Sequence, residues 1–126
     1  MSRTVIRTEH APATPPTYSQ AVKANGFIFI SGTGPFDPAS GKVVGQTIGE
    51  QTAQCLRNIA AILGSEGLTL ASVVSATVIL RDDDDFAGMN LEWSNWFPTE
   101  PPARQGAKLP IQPKEQRISI AAIAAL

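Results

Sequence analysis

Few side chains in this chain of 126 residues have the chemistry to act on another molecule, and most of those lack the neighbours they would need. The one histidine, His10, lies in a proline-flanked stretch beside Glu9, so neither a metal cluster nor a Ser-His pair can be assembled around it. Cys55 falls on the apolar side of a helical pattern without a basic neighbour to hold a thiolate, which makes it a small core residue. The run Asp82 to Asp85 lacks the spacing and glycine of a calcium loop and reads as a solvated helix start. Gly32-Thr33-Gly34 is followed by Pro35 and a turn rather than a helix, so it fails as a dinucleotide-binding loop. Arg104 is different. In Pro101-Pro102-Ala103-Arg104-Gln105-Gly106-Ala107-Lys108-Leu109 it puts a permanent cation just inside a strand-like stretch. Such a guanidinium either pairs with a carboxylate of the protein, for which Glu115 is a candidate, or receives one from a ligand. Tyr18, taken alone, reads as a core or interface aromatic with its hydroxyl satisfied, and Trp93 and Trp96 read as packing residues.

The elements that must carry Arg104 follow from periodicity and turn chemistry. Thr4 to Thr8 is an opening strand, and the prolines of residues 11 to 16 make the next stretch a loop. Ser19 to Ala24 and Phe27 to Ile30 flank Asn25-Gly26, the positive-φ pair of a tight hairpin. Asp37 to Gly41 is a turn before Val43-Val44. Thr47 with Glu50 three residues later forms a capping box, predicting a helix that carries Cys55, Leu56, Ile59, Ile62 and Leu63 inward and stops near Gly64 or Gly67. Val73 to Leu80 is a buried strand. A second helix follows on Phe86, Met89, Trp93, Trp96 and Phe97, and Pro98 ends it. Ala103 to Leu109 and Ile118 to Ala124 are the last strands.

Composition bounds the function. The length predicts a single domain, residues 1–126. A net charge of -1 and a pI near 5.7 disfavour a nucleic-acid partner. A lone cysteine, no apolar leader after Met1 and no apolar run long enough for a bilayer predict a cytoplasmic protein with no membrane partner. The order β-β-β-α-β-α-β-β is an α+β sheet whose two helices can cover one face only. In the last strand Ile118, Ile120 and Ala122 point one way, and Ser119, Ala121 and Ile123 the other. One modestly apolar face is left bare, which predicts a closed homo-oligomer packed through it.

Five segments in register carry a family resemblance across nearly the whole chain: Tyr18-Ser19-Gln20-Ala21-Val22, Phe29-Ile30-Ser31-Gly32, Pro35-Phe36-Asp37-Pro38, Glu50-Gln51-Thr52 with Asn58-Ile59, and Pro102-Ala103-Arg104. In these the chain resembles the Rid family, the reactive intermediate deaminases or YjgF-like proteins. The resemblance implies a chorismate-mutase-like subunit with a mixed six-stranded sheet and two helices on one face, assembling as a homotrimer with clefts at the subunit interfaces. It also implies hydrolysis of enamines and imines of 2-amino acids to 2-keto acids and ammonia, with no metal or organic cofactor. The partner would be a small carboxylate-bearing imine or 2-keto acid.

Carried over position by position, the resemblance makes Arg104 the arginine that pairs with the substrate carboxylate and Tyr18 a tyrosine lining the same cleft. Gly32 becomes the glycine whose backbone approaches the substrate, and Asn90 the second-helix asparagine that shapes the site. Two features depart from the best-studied subgroup: a glutamate thought to activate or orient water is replaced by Ala121, and a Ser-Cys pair after the arginine is replaced by Gln105-Gly106. A general base contributes about 10²- to 10⁴-fold, which an electrophilic iminium can forgo. Backbone groups near Gly32 and Gly106 are then expected to hold the water and its developing charge. The alternatives are a non-catalytic small-molecule binder using the same cleft and an endoribonuclease or translation inhibitor. The acidic balance and missing histidine pair weigh against the latter.

Overall fold

The structure is a computed structural model that describes residues 2–126. Its strands are β1 (Thr4–Ile6), β2 (Ala21–Ala24), β3 (Phe27–Thr33), β4 (Val73–Leu80), β5 (Ala103–Lys108) and β6 (Ile118–Ala125), with helices α1 (Ile48–Gly64) and α2 (Phe86–Trp96). They form one six-stranded sheet in the order β1-β2-β3-β6-β4-β5. All pairings are antiparallel except β4 with β5, so the sheet is mixed, as expected.

Local chemistry explains the boundaries. Asn25 and Gly26 adopt φ values of 55° and 84°, and this turn sets the β2–β3 register. The Thr47 hydroxyl accepts from the Glu50 backbone N–H at 3.1 Å, while the Glu50 carboxylate accepts from the N–H of Thr47 at 3.0 Å, completing the capping box that starts α1. Expected strands shorten where side chains take over. β2 begins at Ala21 rather than Ser19 because Gln20 turns inward: its amide donates to the carbonyls of Thr8 and Pro12, and its oxygen accepts from the Thr8 N–H at 2.8 Å. The same clamp ends β1 at Ile6. β3 runs three residues past Ile30, through an irregular register with β6 between Ile30 and Thr33.

Both helices pack on one face. Ile28, Ile30, Val78, Leu80, Ile118, Ile120 and Ala124 meet Leu56, Ile59, Ile62, Leu63, Met89 and Trp93 there. Fully burying each large aliphatic side chain of this set contributes about 1.5–3 kcal/mol. Cys55 is wholly inside, and burial pushes its thiol pKa well up, as suits a core residue. The opposite face carries no helix. Phe29 stands 45% exposed there beside Val22 and Ile123, its cross-strand partners. The bare apolar face anticipated from the alternation of β6 is therefore present. The second helix is less amphipathic than its aromatic spacing suggested, since only Met89 and Trp93 are buried while Phe86 and Leu91 stay exposed. Among the described residues, no helix is long and apolar enough to cross a membrane.

Candidate functional site

β5 is an edge strand, and alternation turns Arg104, Gly106 and Lys108 toward the helix side of the sheet, in line with Ala76, Val78 and Leu80 of β4. α2 crosses above them and presents Phe86, Met89, Asn90 and Trp93, residues that share one flank at helical spacing. The Arg104 guanidinium is seated between these elements. Its carbon lies 5.1 Å from the Trp93 ring centroid and 6.0 Å from that of Phe86, Nη2 donates to Asn90 Oδ1 at 2.8 Å, and Nη1 approaches the Met89 sulfur at 3.8 Å. Every one of these partners is neutral. Among the described residues no ion pair includes Arg104, and Glu115, the internal partner weighed above, instead lines another cavity beside Lys114. A planar fork held in place by an amide and aromatic faces, with no carboxylate partner among the described residues, has N–H donors that can pair with an anion. It borders a cavity of about 550 Å³ with Val78, Leu80, Phe86, Met89 and Gly106.

A second cavity, of about 320 Å³, lies at the β3–β6 seam and contains Tyr18, Ser31, Gly32, Gln116 and Ser119. Tyr18 is half exposed rather than packed inside, and its hydroxyl has no partner among the described residues. A Cβ on Gly32 would stand 3.1 Å from Ser119 Oγ, so glycine keeps this wall open. Ser119, which sequence reasoning missed as a site residue, also has a hydroxyl without a partner among the described residues. Alternation along β6 does orient it toward the helix-free side; the irregular register that sets it against Gly32 is a tertiary feature. The lining includes no Asp or Glu.

Arg104 and Asn90 are thus brought together, with Gly106 on the same strand face, and Tyr18 with Gly32 in the other cavity. The two groups are not joined within one chain. β3 and β5 are separated by β6 and β4, about 14 Å of sheet. Ala121 lines neither cavity. It sits half-buried on the helix-free face opposite Thr77, whose hydroxyl accepts from the Gln105 amide at 3.2 Å.

The aspartate run is an exposed lead-in to α2, as expected, with Asp82, Asp83 and Asp84 facing solvent and only Asp85 buried; three of its carboxylates also meet cations. Asp82 pairs with Arg81 at 3.1 Å, Asp83 with Lys108 at 3.1 Å, and the buried Asp85 lies 3.5 Å from Arg117 Nε. His10 is exposed, as expected. At the start of α1, backbone N–H groups of Thr47 and then Gln46 hold the Glu50 carboxyl below its ordinary pKa.

Comparison with known proteins places this geometry in context. The family model described as Endoribonuclease L-PSP matches residues 8–126. A RutC family protein of Pyrococcus horikoshii is 45% identical over 120 residues, covering 95% of each chain. A Bos taurus protein named 2-iminobutanoate/2-iminopropanoate deaminase is 41% identical over 122 residues, covering 97% of this chain and 89% of the relative. Among solved structures, a conserved Rid family protein from Yersinia pestis superposes with a TM-score of 0.93 at 32% identity, over 99% of this chain and 100% of that one.

Proposed function

The chain belongs to the Rid family, the group of YjgF- and RutC-like proteins, and from that premise we propose that it hydrolyses reactive enamines and imines of 2-amino acids to 2-keto acids and ammonia. The observation that carries this reading is the uncompensated Arg104 guanidinium, seated on Trp93 and Asn90 and open to a cavity. It would receive the substrate carboxylate through paired N–H donors, fixing the imine carbon for attack. An enamine first tautomerises to the imine. Water then adds to the imine carbon with one of its protons passing to nitrogen, and the second proton follows as the C–N bond breaks, leaving the oxygen as the keto group and releasing ammonia. Tyr18 and Ser119 carry free hydroxyls that suit hydrogen bonds to water, and the backbone at Gly32 is bare enough for close approach.

In this reading the Arg104 cavity of one subunit completes the Tyr18–Gly32 cavity of the next. The separation of the two groups within one chain and the uncovered apolar face around Phe29 both favour a homo-oligomer, a trimer in the family pattern. A 2-keto acid product would occupy the same seat as the substrate. The test is ammonia release from freshly generated 2-aminoacrylate by the wild type and by Arg104→Ala. Loss of most of the enzyme-dependent rate supports the proposal, and equal rates remove Arg104 from the mechanism.

One observation favours a second reading. No carboxylate lines the Tyr18–Gly32 cavity, as a binder without turnover would allow. Saturable binding of a 2-keto acid with no catalysed ammonia release would select it.

A further inference from the structure

Gly106 lies two residues beyond Arg104 on the same face of β5, over Val78 of β4. A Cβ there would meet only the Val78 carbonyl oxygen, at 3.2 Å, and the glycine lines the cavity next to the guanidinium as bare backbone. Next to Arg104 one part of the wall is apolar, with Val78, Leu80 and Met89 as buried side chains and Phe86 offering a largely exposed ring, while Asp82, Asp83 and Lys108 line the remainder. From Arg104 to Lys108 the strand rises about 13 Å, room for a carboxylate, a reacting carbon and a side chain of isobutyl or benzyl size.

The far end of the cavity is electrically closed. Lys108 is paired with Asp83, and Asp82 with Arg81, which leaves Arg104 as the one lining cation without a carboxylate partner among the described residues. A second substrate carboxylate would find no counter-charge there and would meet two aspartates already in place.

We infer that Gly106 sets substrate choice, opening the Arg104 cavity to 2-imino acids with medium or large apolar side chains and excluding dicarboxylic ones. This rests on the deaminase reading and deepens it. Burying two further methylenes against Val78, Leu80 and Met89 favours isobutyl over ethyl by roughly tenfold. A side chain at residue 106 occupies that space and takes the advantage away.

The test uses the full-length protein and two readouts. Calorimetry with 4-methyl-2-oxopentanoate, 2-oxobutanoate and 2-oxoglutarate measures the seat directly, and ammonia release from the corresponding imines measures kcat/KM. Expected for the wild type is roughly tenfold tighter binding of the branched monocarboxylate than of 2-oxobutanoate, with 2-oxoglutarate weakest. In Gly106→Ala, and more so in Gly106→Val, the branched-to-small ratio should fall toward one in both readouts. The wild-type series stands even if a variant misfolds. No branched preference in the wild type, or a ratio unmoved in folded Gly106→Ala and Gly106→Val, overturns the inference while leaving the deaminase reading intact. Failure of the wild type both to bind any of the monocarboxylates and to release ammonia sinks the two together.

Discussion

Replacing Arg104 by lysine isolates geometry from charge. Both side chains are cationic, but only the guanidinium is a planar fork that can lie between the Trp93 and Phe86 rings and still aim paired N–H groups at one carboxylate. Lysine offers a point charge on a flexible stem, without the 2.8 Å bond that Nη2 makes to Asn90. Losing one charge-assisted hydrogen bond to the substrate costs about 1.5–3 kcal/mol, which is roughly a ten- to hundredfold drop in kcat/KM. The fold should tolerate the change because β5 is an exposed edge strand: the lost ring contacts are worth about 0.5–1 kcal/mol each. The assay is initial-rate ammonia release from the imine of a small amino acid, with thermal unfolding measured in parallel. Wild-type kcat/KM in a folded Arg104→Lys protein would refute the argument, since charge alone would then suffice. A drop in kcat/KM matched by unfolding at the assay temperature would refute it too, by assigning Arg104 a structural role.

Glu50 gives a pH dependence. Its carboxyl is held below the ordinary value of 4.5 by backbone N–H groups of Thr47 and Gln46, so its stabilising contribution is complete above that value and is lost as pH falls through the lower folded-state pKa. Glu50→Gln should flatten stability between about pH 5 and 3 in urea titrations, and an unchanged acid limb would contradict the assignment. Phe29→Asp puts a charge on the bare sheet face between Val22 and Ile123, where a partner subunit is proposed. Sedimentation should then give a particle near the 13.3 kDa chain mass with native circular dichroism and lost ammonia release, whereas an unaltered assembly would remove that face from the interface.

Much of this was legible in the chain because it is short-range chemistry. The Thr47/Glu50 box, the Asn25-Gly26 hairpin and the alternation of β6 depend on neighbours a few residues apart, so the elements and the face each residue takes follow from the sequence alone. Arg104 stood out for the same reason, as a cation in a strand. What the sequence could not decide is pairing. That β5 runs parallel to β4 at the sheet edge, that α2 lays Trp93 and Asn90 over Arg104, and that the β3–β6 irregularity sets Ser119 against Gly32 all depend on contacts between residues distant along the chain. The Glu115 alternative for Arg104 failed on that ground, and Asp85, the one buried member of an otherwise solvated aspartate run, faces Arg117 for the same reason. Local spacing gives a residue's direction, but its charge partner is chosen by packing, which only the tertiary structure decides.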